Sequence, residues 1–94
     1  MIIVELTYKV DLATLEQHLA DHRNFLENYY QQGYLLVSGP KEPRTGGIII
    51  ALTNNLHELT AILAHDPFYL HDLADYKFTI FNPTKAHDLI KKLV

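Results

Sequence analysis

The sequence contains no cysteine. That single absence removes disulfides, thiolate nucleophiles and cysteine-ligated zinc or iron–sulfur centres together, and it fits a reducing compartment. A basic patch is missing as well: 8 Lys and Arg stand against 11 Asp and Glu, for a formal charge of −3. A nucleic-acid partner is therefore not expected. Long apolar runs are also lacking, since Ile48–Leu52 falls far short of the roughly 20 residues that a bilayer requires. Met1-Ile2-Ile3-Val4 leads directly into a strand-like stretch with no basic leader or cleavage site. The expectation is a cytoplasmic protein with no membrane partner, free of repeats and linkers.

What remains is ordinary globular material. Of 94 residues, 48% are apolar and 20% charged, which predicts one domain over 1–94. A domain this small buries only about two-thirds of the surface that its unfolded chain exposes. Self-association is a usual remedy.

Hydrophobic periodicity divides the chain. Ile2, Val4, Leu6, Tyr8 and Val10 alternate with Ile3, Glu5, Thr7 and Lys9, the pattern of a half-buried strand. Asp11 offers a helix N-cap, and apolar residues then recur at helical spacing from Leu12 to Gln32, with Gly33 as the stop. Tyr34–Ser38 reads as a second strand ended by Gly39-Pro40, and Ile48–Leu52 as a central, buried one. Between them lies a polar loop whose end, Gly46-Gly47, has wide backbone freedom. Asn55 opens a second helix to about His65, and Asp66-Pro67 opens a short one through Leu73. Tyr76–Phe81 alternates again, and Asn82-Pro83 precedes an amphipathic tail helix, Thr84 to Leu93.

The order β-α-β-β-α-β predicts an α+β, ferredoxin-like fold: a four-stranded antiparallel sheet, two helices on one face, and a C-terminal helix from about residue 83. The other face would stay apolar around Ile3, Phe81 and one side of Ile48–Leu52, so a homodimer through that open face is expected.

His22 is the unusual residue. Its helical position falls within the arc of Leu15, Leu19, Phe25, Leu26 and Tyr29, so an ionisable ring turns inward. It reads as a hydrogen-bonded core histidine or as an acid/base group. Asp66 is the candidate carboxylate, and it reads equally as a plain N-cap before Pro67. The pair His18 and His22, at i and i+4, has a zinc-compatible spacing but no glutamate after the first histidine. No metal is expected, and no cofactor. His57, His65, His71 and His87 are expected to face solvent.

His22-Arg23-Asn24-Phe25-Leu26, then Gly33-Tyr34-Leu35-Leu36-Val37-Ser38-Gly39-Pro40, then Gly46-Gly47, and finally Asp66-Pro67-Phe68 with Leu73-Ala74 and Tyr76 resemble the YCII-related family. The likeness spans about residues 1–82 and rests on the order and spacing of short motifs. It implies a dimer of the dimeric α+β barrel type and a site built on a His–Asp dyad, which maps to His22 and Asp66. At least one member type is a dehydrochlorinase of a chlorinated hydroxyquinol, and muconolactone isomerases share the wider fold. His71-Asp72 departs from the family, whose members usually carry a small residue and a glycine there.

The roles implied are then specific. Asp66 would accept from one ring nitrogen of His22 and fix its tautomer, leaving the other nitrogen as general base or acid. Backbone N–H groups near Ser38-Gly39 or Gly46-Gly47 would hold a developing oxyanion. Ser38 and Gly39 would line the pocket; Arg44 reads as meeting an anionic group or as a solvated loop residue, and Phe68 and Tyr8 as pocket walls or as core packing. Two readings stay open. One is a small cofactor-free enzyme for elimination, isomerisation or hydrolysis of a small cyclic or hydroxylated substrate. The other is a non-catalytic small-molecule-binding or interaction dimer whose dyad is structural.

Overall fold

The computed structural model describes all residues, Met1–Val94. Strand β1, Ile2–Tyr8, buries Ile2, Val4 and Leu6 and turns the alternate residues to the other face. It lies between β3 (Gly46–Ala51) and β4 (Ala74–Ile80), and β2 (Leu35–Pro40) closes the far edge. All pairings are antiparallel in the order β2-β3-β1-β4, which is the ferredoxin-like arrangement. The core lies on one face, where Ile2, Val4, Leu6, Ile49 and Ala51 meet Leu15, Leu26, Leu59, Leu63 and Phe68. No helix is long and apolar enough to cross a membrane.

The first helical segment is not continuous. Asp11 caps α1, Leu12–Glu16, by accepting from the Thr14 N–H at 2.8 Å. The chain then tightens into three-residue turns, Gln17 N–H to Thr14 O and His18 N–H to Leu15 O, before α2 runs from Leu19 to Gln31. Gly33, at φ +82°, ends α2, with Gly33 N–H bonding Tyr30 O and Tyr34 N–H bonding Tyr29 O. These are the two bonds of a Schellman cap.

A register shift between Leu35 and Val37 marks a bulge in β2. Leu35 pairs with Ala51 toward the core, Val37 pairs with Ile50 on the open face, and Ser38 pairs with Ile49. One extra residue thus returns Ser38 to the helix side of the sheet. The strand also outlasts its expected end at Ser38. Pro40 is tolerated because β2 is an edge strand, where a missing N–H costs no ladder bond.

Gly46-Gly47 begin β3 instead of ending a loose loop. A Cβ at Gly46 would lie 1.8 Å from the Leu6 carbonyl oxygen, so glycine is required by close approach, not by freedom. Asn55 caps α3, Leu56–Leu63, through the Glu58 N–H at 3.0 Å. Asp66 caps α4, Pro67–Leu70, with Pro67 in the first turn. That helix stops before Leu73 because Asp72 takes φ +54° and Leu73 N–H returns to Phe68 O.

The tail differs from expectation. Thr84 to Leu93 form no α-helix; only Lys91–Leu93 make a 3₁₀ turn, and Leu89, Leu93 and Val94 are exposed. A helix of ten residues is marginal in water unless its apolar side is packed, and no residue of this tail is fully buried. On the open sheet face, Ile3 lies opposite Ile50 and Ile48 opposite Glu5. Phe81 is exposed at the end of that layer.

Gly46→Ala is expected to destabilise the domain by about 1–3 kcal/mol, the usual cost of overpacking, because the obstructing atom is backbone. Urea unfolding monitored by circular dichroism measures this, and an unchanged midpoint would refute it.

Candidate active site

Three segments converge behind the sheet. Helix α2 turns inward with Leu19, His22 and Leu26 on one side, and His22 and Leu26 are its buried residues. The α3–α4 junction supplies Asp66, whose side chain is wholly buried because the residue caps one helix directly beneath another. Strand β4 supplies Tyr76, held opposite Leu6 by the β1 register.

His22 Nδ1 lies 2.7 Å from Asp66 Oδ1. The same oxygen accepts the Phe68 N–H at 3.1 Å, and Oδ2 accepts the Tyr76 hydroxyl at 2.6 Å. Asp66 therefore caps α4 and holds the imidazole at once. With Oδ1 accepting, Nδ1 carries the proton and Nε2 presents its lone pair. The His22 ring stacks on Phe68 with centroids 3.8 Å apart and planes inclined by 2°, so its tilt is fixed as well as its in-plane hydrogen bond.

Nε2 has no hydrogen-bond partner in the protein. No side-chain nitrogen or oxygen is both sealed from solvent and unpartnered, so Nε2 must open outward. His22 indeed lines a cavity of about 620 Å³ between α2 and the sheet. Ser38, Gly39, Arg44 and Phe68 all line this cavity, with Tyr8 and Arg23. Asp66 does not reach it and can act only through His22.

The details reassign some roles. The Ser38 hydroxyl is 2.6 Å from the Tyr30 hydroxyl on α2, which ties the bulged strand to the helix. Arg44 donates to Glu16 at 3.0 Å, so its charge is already engaged at the rim. Arg23 lines the same cavity and takes part in no ion pair. Gly46 and Gly47 are buried in β3 and paired with Thr7 and Leu6 of β1, so they form strand and not an open loop. His18 packs against His71, with ring centroids 4.3 Å apart and planes inclined by 32°, instead of joining His22, and no three His, Asp or Glu side chains gather as metal ligands. His57, His65, His71 and His87 are exposed.

Sequence reasoning placed Tyr76 on the core side of its strand but gave it no task. The available signal was chemical: a tyrosine among buried neighbours needs a partner for its hydroxyl. Burial first, then the negative charge of Asp66 and the bond to it, push the Tyr76 phenol far above its ordinary value. The hydroxyl stays protonated and remains a donor. Arg23 carried a weaker signal, following His22 directly.

Asp66→Ala removes the cap, the imidazole's partner and the phenol's acceptor together. The expected loss is about 3–5 kcal/mol, the range for breaking a buried pair. Asn55→Ala, removing an exposed cap, should cost about 1 kcal/mol. Denaturant midpoints of the two variants compare them directly; equal losses would mean that the buried network contributes nothing beyond capping.

Comparison with known proteins places this geometry in context. The family model for the YCII-related domain matches residues 1–82. No curated protein matches the chain. Among solved structures, the chain is similar to 5-chloro-2-hydroxyhydroquinone dehydrochlorinase from Burkholderia phenoliruptrix AC1100, described in complex with 2,5-dihydroxybenzoquinone. That likeness has a TM-score of 0.70 at 18% sequence identity, covering 87% of this chain and 94% of the other. At that identity the neighbour speaks for the fold, while the family match spans the whole sheet-and-helix core. The chain belongs to the YCII-related family.

Proposed function

We propose that this chain is a small enzyme that moves a proton to or from a hydroxylated ring-shaped substrate, with His22 as general base and acid. The observation that carries the reading is the division of labour on one ring. Nδ1 is held by a buried carboxylate while Nε2 stays unbonded on a ring that lines a cavity of about 620 Å³, large enough for a single small ring. No cofactor is needed for such chemistry.

The mechanism follows from the positions. Nε2 takes a proton from a substrate hydroxyl or an adjacent C–H, and Asp66 stabilises the imidazolium that forms. The electron pair left on the substrate delocalises into the ring. It then expels a leaving group, completing an elimination, or accepts the proton back at another atom, completing an isomerisation. A water attacking under the same base would give hydrolysis. Arg23, free of any internal ion pair at the cavity wall, suits the anionic oxygen that proton removal creates. Ser38, Gly39 and Phe68 shape the pocket, and Arg44 closes its rim through Glu16. The dehydrochlorinase with a related fold acts on a hydroxylated ring, which supports this substrate class over larger or acyclic ones.

His22→Gln is the decisive variant. Turnover of a panel of hydroxylated quinones and lactones should fall by about 10²–10⁴-fold, the usual worth of a positioned acid/base group, in a protein that remains folded. Loss of fold with no selective loss of turnover would make His22 a core residue. Ligand binding by the wild type without turnover of any panel member would make the chain a binding module.

We further propose that two copies pair through the open sheet face, where Val37 is exposed and Ile3, Ile48 and Ile50 are half-buried within one chain. Ile50→Lys is expected to convert a sedimenting dimer into a monomer. A wild-type monomer at micromolar concentration would remove the proposal.

A further inference from the structure

The Asp66 carboxylate is unevenly held. Two of its three donors, His22 Nδ1 and the Phe68 N–H, share Oδ1, and Oδ2 depends on the Tyr76 hydroxyl alone. A carboxylate fastened at one oxygen can still swing about its Cβ–Cγ bond. The second attachment fixes its plane. Tyr76 had another choice: its ring also walls a second cavity of about 540 Å³, with Leu63, Tyr69 and Phe78. The hydroxyl nevertheless donates to the buried carboxylate, at 2.6 Å. Its ring is braced edge-on by Tyr69 at 5.8 Å and by the β4 pairing opposite Leu6.

From this we infer that Tyr76 is the positioning residue of the dyad: its hydroxyl locks the carboxylate plane, and the locked plane holds His22 in one tautomer with Nε2 aimed at the cavity. A phenylalanine would fill the same volume but leave a fully buried Oδ2 without a donor. The carboxylate would then rotate to seek one, and the Nδ1–H bond would open with it. This role deepens the acid/base reading of His22 and rests on it for its catalytic meaning, but the geometry can be tested without any substrate.

The test is the tautomer of His22, read from two-bond nitrogen–proton correlations in ¹⁵N-labelled protein. The wild type should show a single form with the proton on Nδ1. Tyr76→Phe should show both tautomers in exchange, while Tyr69→Phe, which alters the same packing without touching Asp66, should match the wild type. A folded Tyr76→Phe with the wild-type pattern overturns the inference, as does a wild-type ring protonated on Nε2. Should Tyr76→Phe fail to fold, 3,5-difluorotyrosine at position 76 decides the matter. Its more acidic phenol donates more strongly, so the His22 nitrogen signals should move while one tautomer persists. Unmoved signals would show that the phenol and the imidazole are uncoupled. Because no substrate is present, these outcomes do not depend on which reaction the protein performs. Failure here would equally leave His22 free to act as a base without help from Tyr76.

Discussion

Everything around the cavity is organised by one carboxylate with no access to water. Asp66 takes an imidazole, a backbone amide and a phenol on two oxygens, and those three donors come from α2, the first turn of α4, and β4. A buried carboxylate without such partners would be strongly disfavoured. The requirement to satisfy it therefore fixes how the first long helix, the short helix and the edge strand sit relative to one another. Packing of Leu15, Leu26, Leu59 and Phe68 holds the layers together. The polar cluster selects one arrangement from among those that packing alone would permit.

The same cluster explains why structural and functional readings of His22 do not compete. An imidazole stacked on Phe68 and bonded to a helix cap is a good core residue. It is also a ring whose second nitrogen cannot be satisfied from within. Nature's usual treatment of a buried polar atom is to pair it; here the unpaired atom belongs to a ring that lines a space of ligand size. Arg23 adds an uncommitted positive charge at the wall, whereas Arg44 is already engaged by Glu16.

How much of this was legible in the sequence follows from which interactions are local. Strand β1 announced itself through strict alternation. The helix caps at Asp11, Asn55 and Asp66 were legible because capping is decided within four residues, and the inward phase of His22 because its neighbours Leu19 and Leu26 belong to the same helix. The break at Gln17-His18 was not, since two tight turns shift the phase without altering the apolar spacing. Nor was the bulge at Leu36, which depends on pairing with β3 and which alone brings Ser38 to the cavity side. Tyr76 stood on the predicted face, but the destination of its hydroxyl depends on where the α3–α4 junction lies in space. The tail carried helical spacing with nothing to pack against, and propensity without a counter-surface does not hold ten residues in a helix. The expected pairing of copies likewise belongs to a second molecule.

Pro40 has a consequence beyond the site it borders. A sheet with two free edges invites strand-by-strand growth into aggregates, and small proteins must blunt those edges. Here one rim ends in a residue that cannot donate, while the other, β4, carries the charged Asp75 and Lys77 on its exposed face, opposite Thr7 and Glu5. Sideways accretion is thereby discouraged at both flanks.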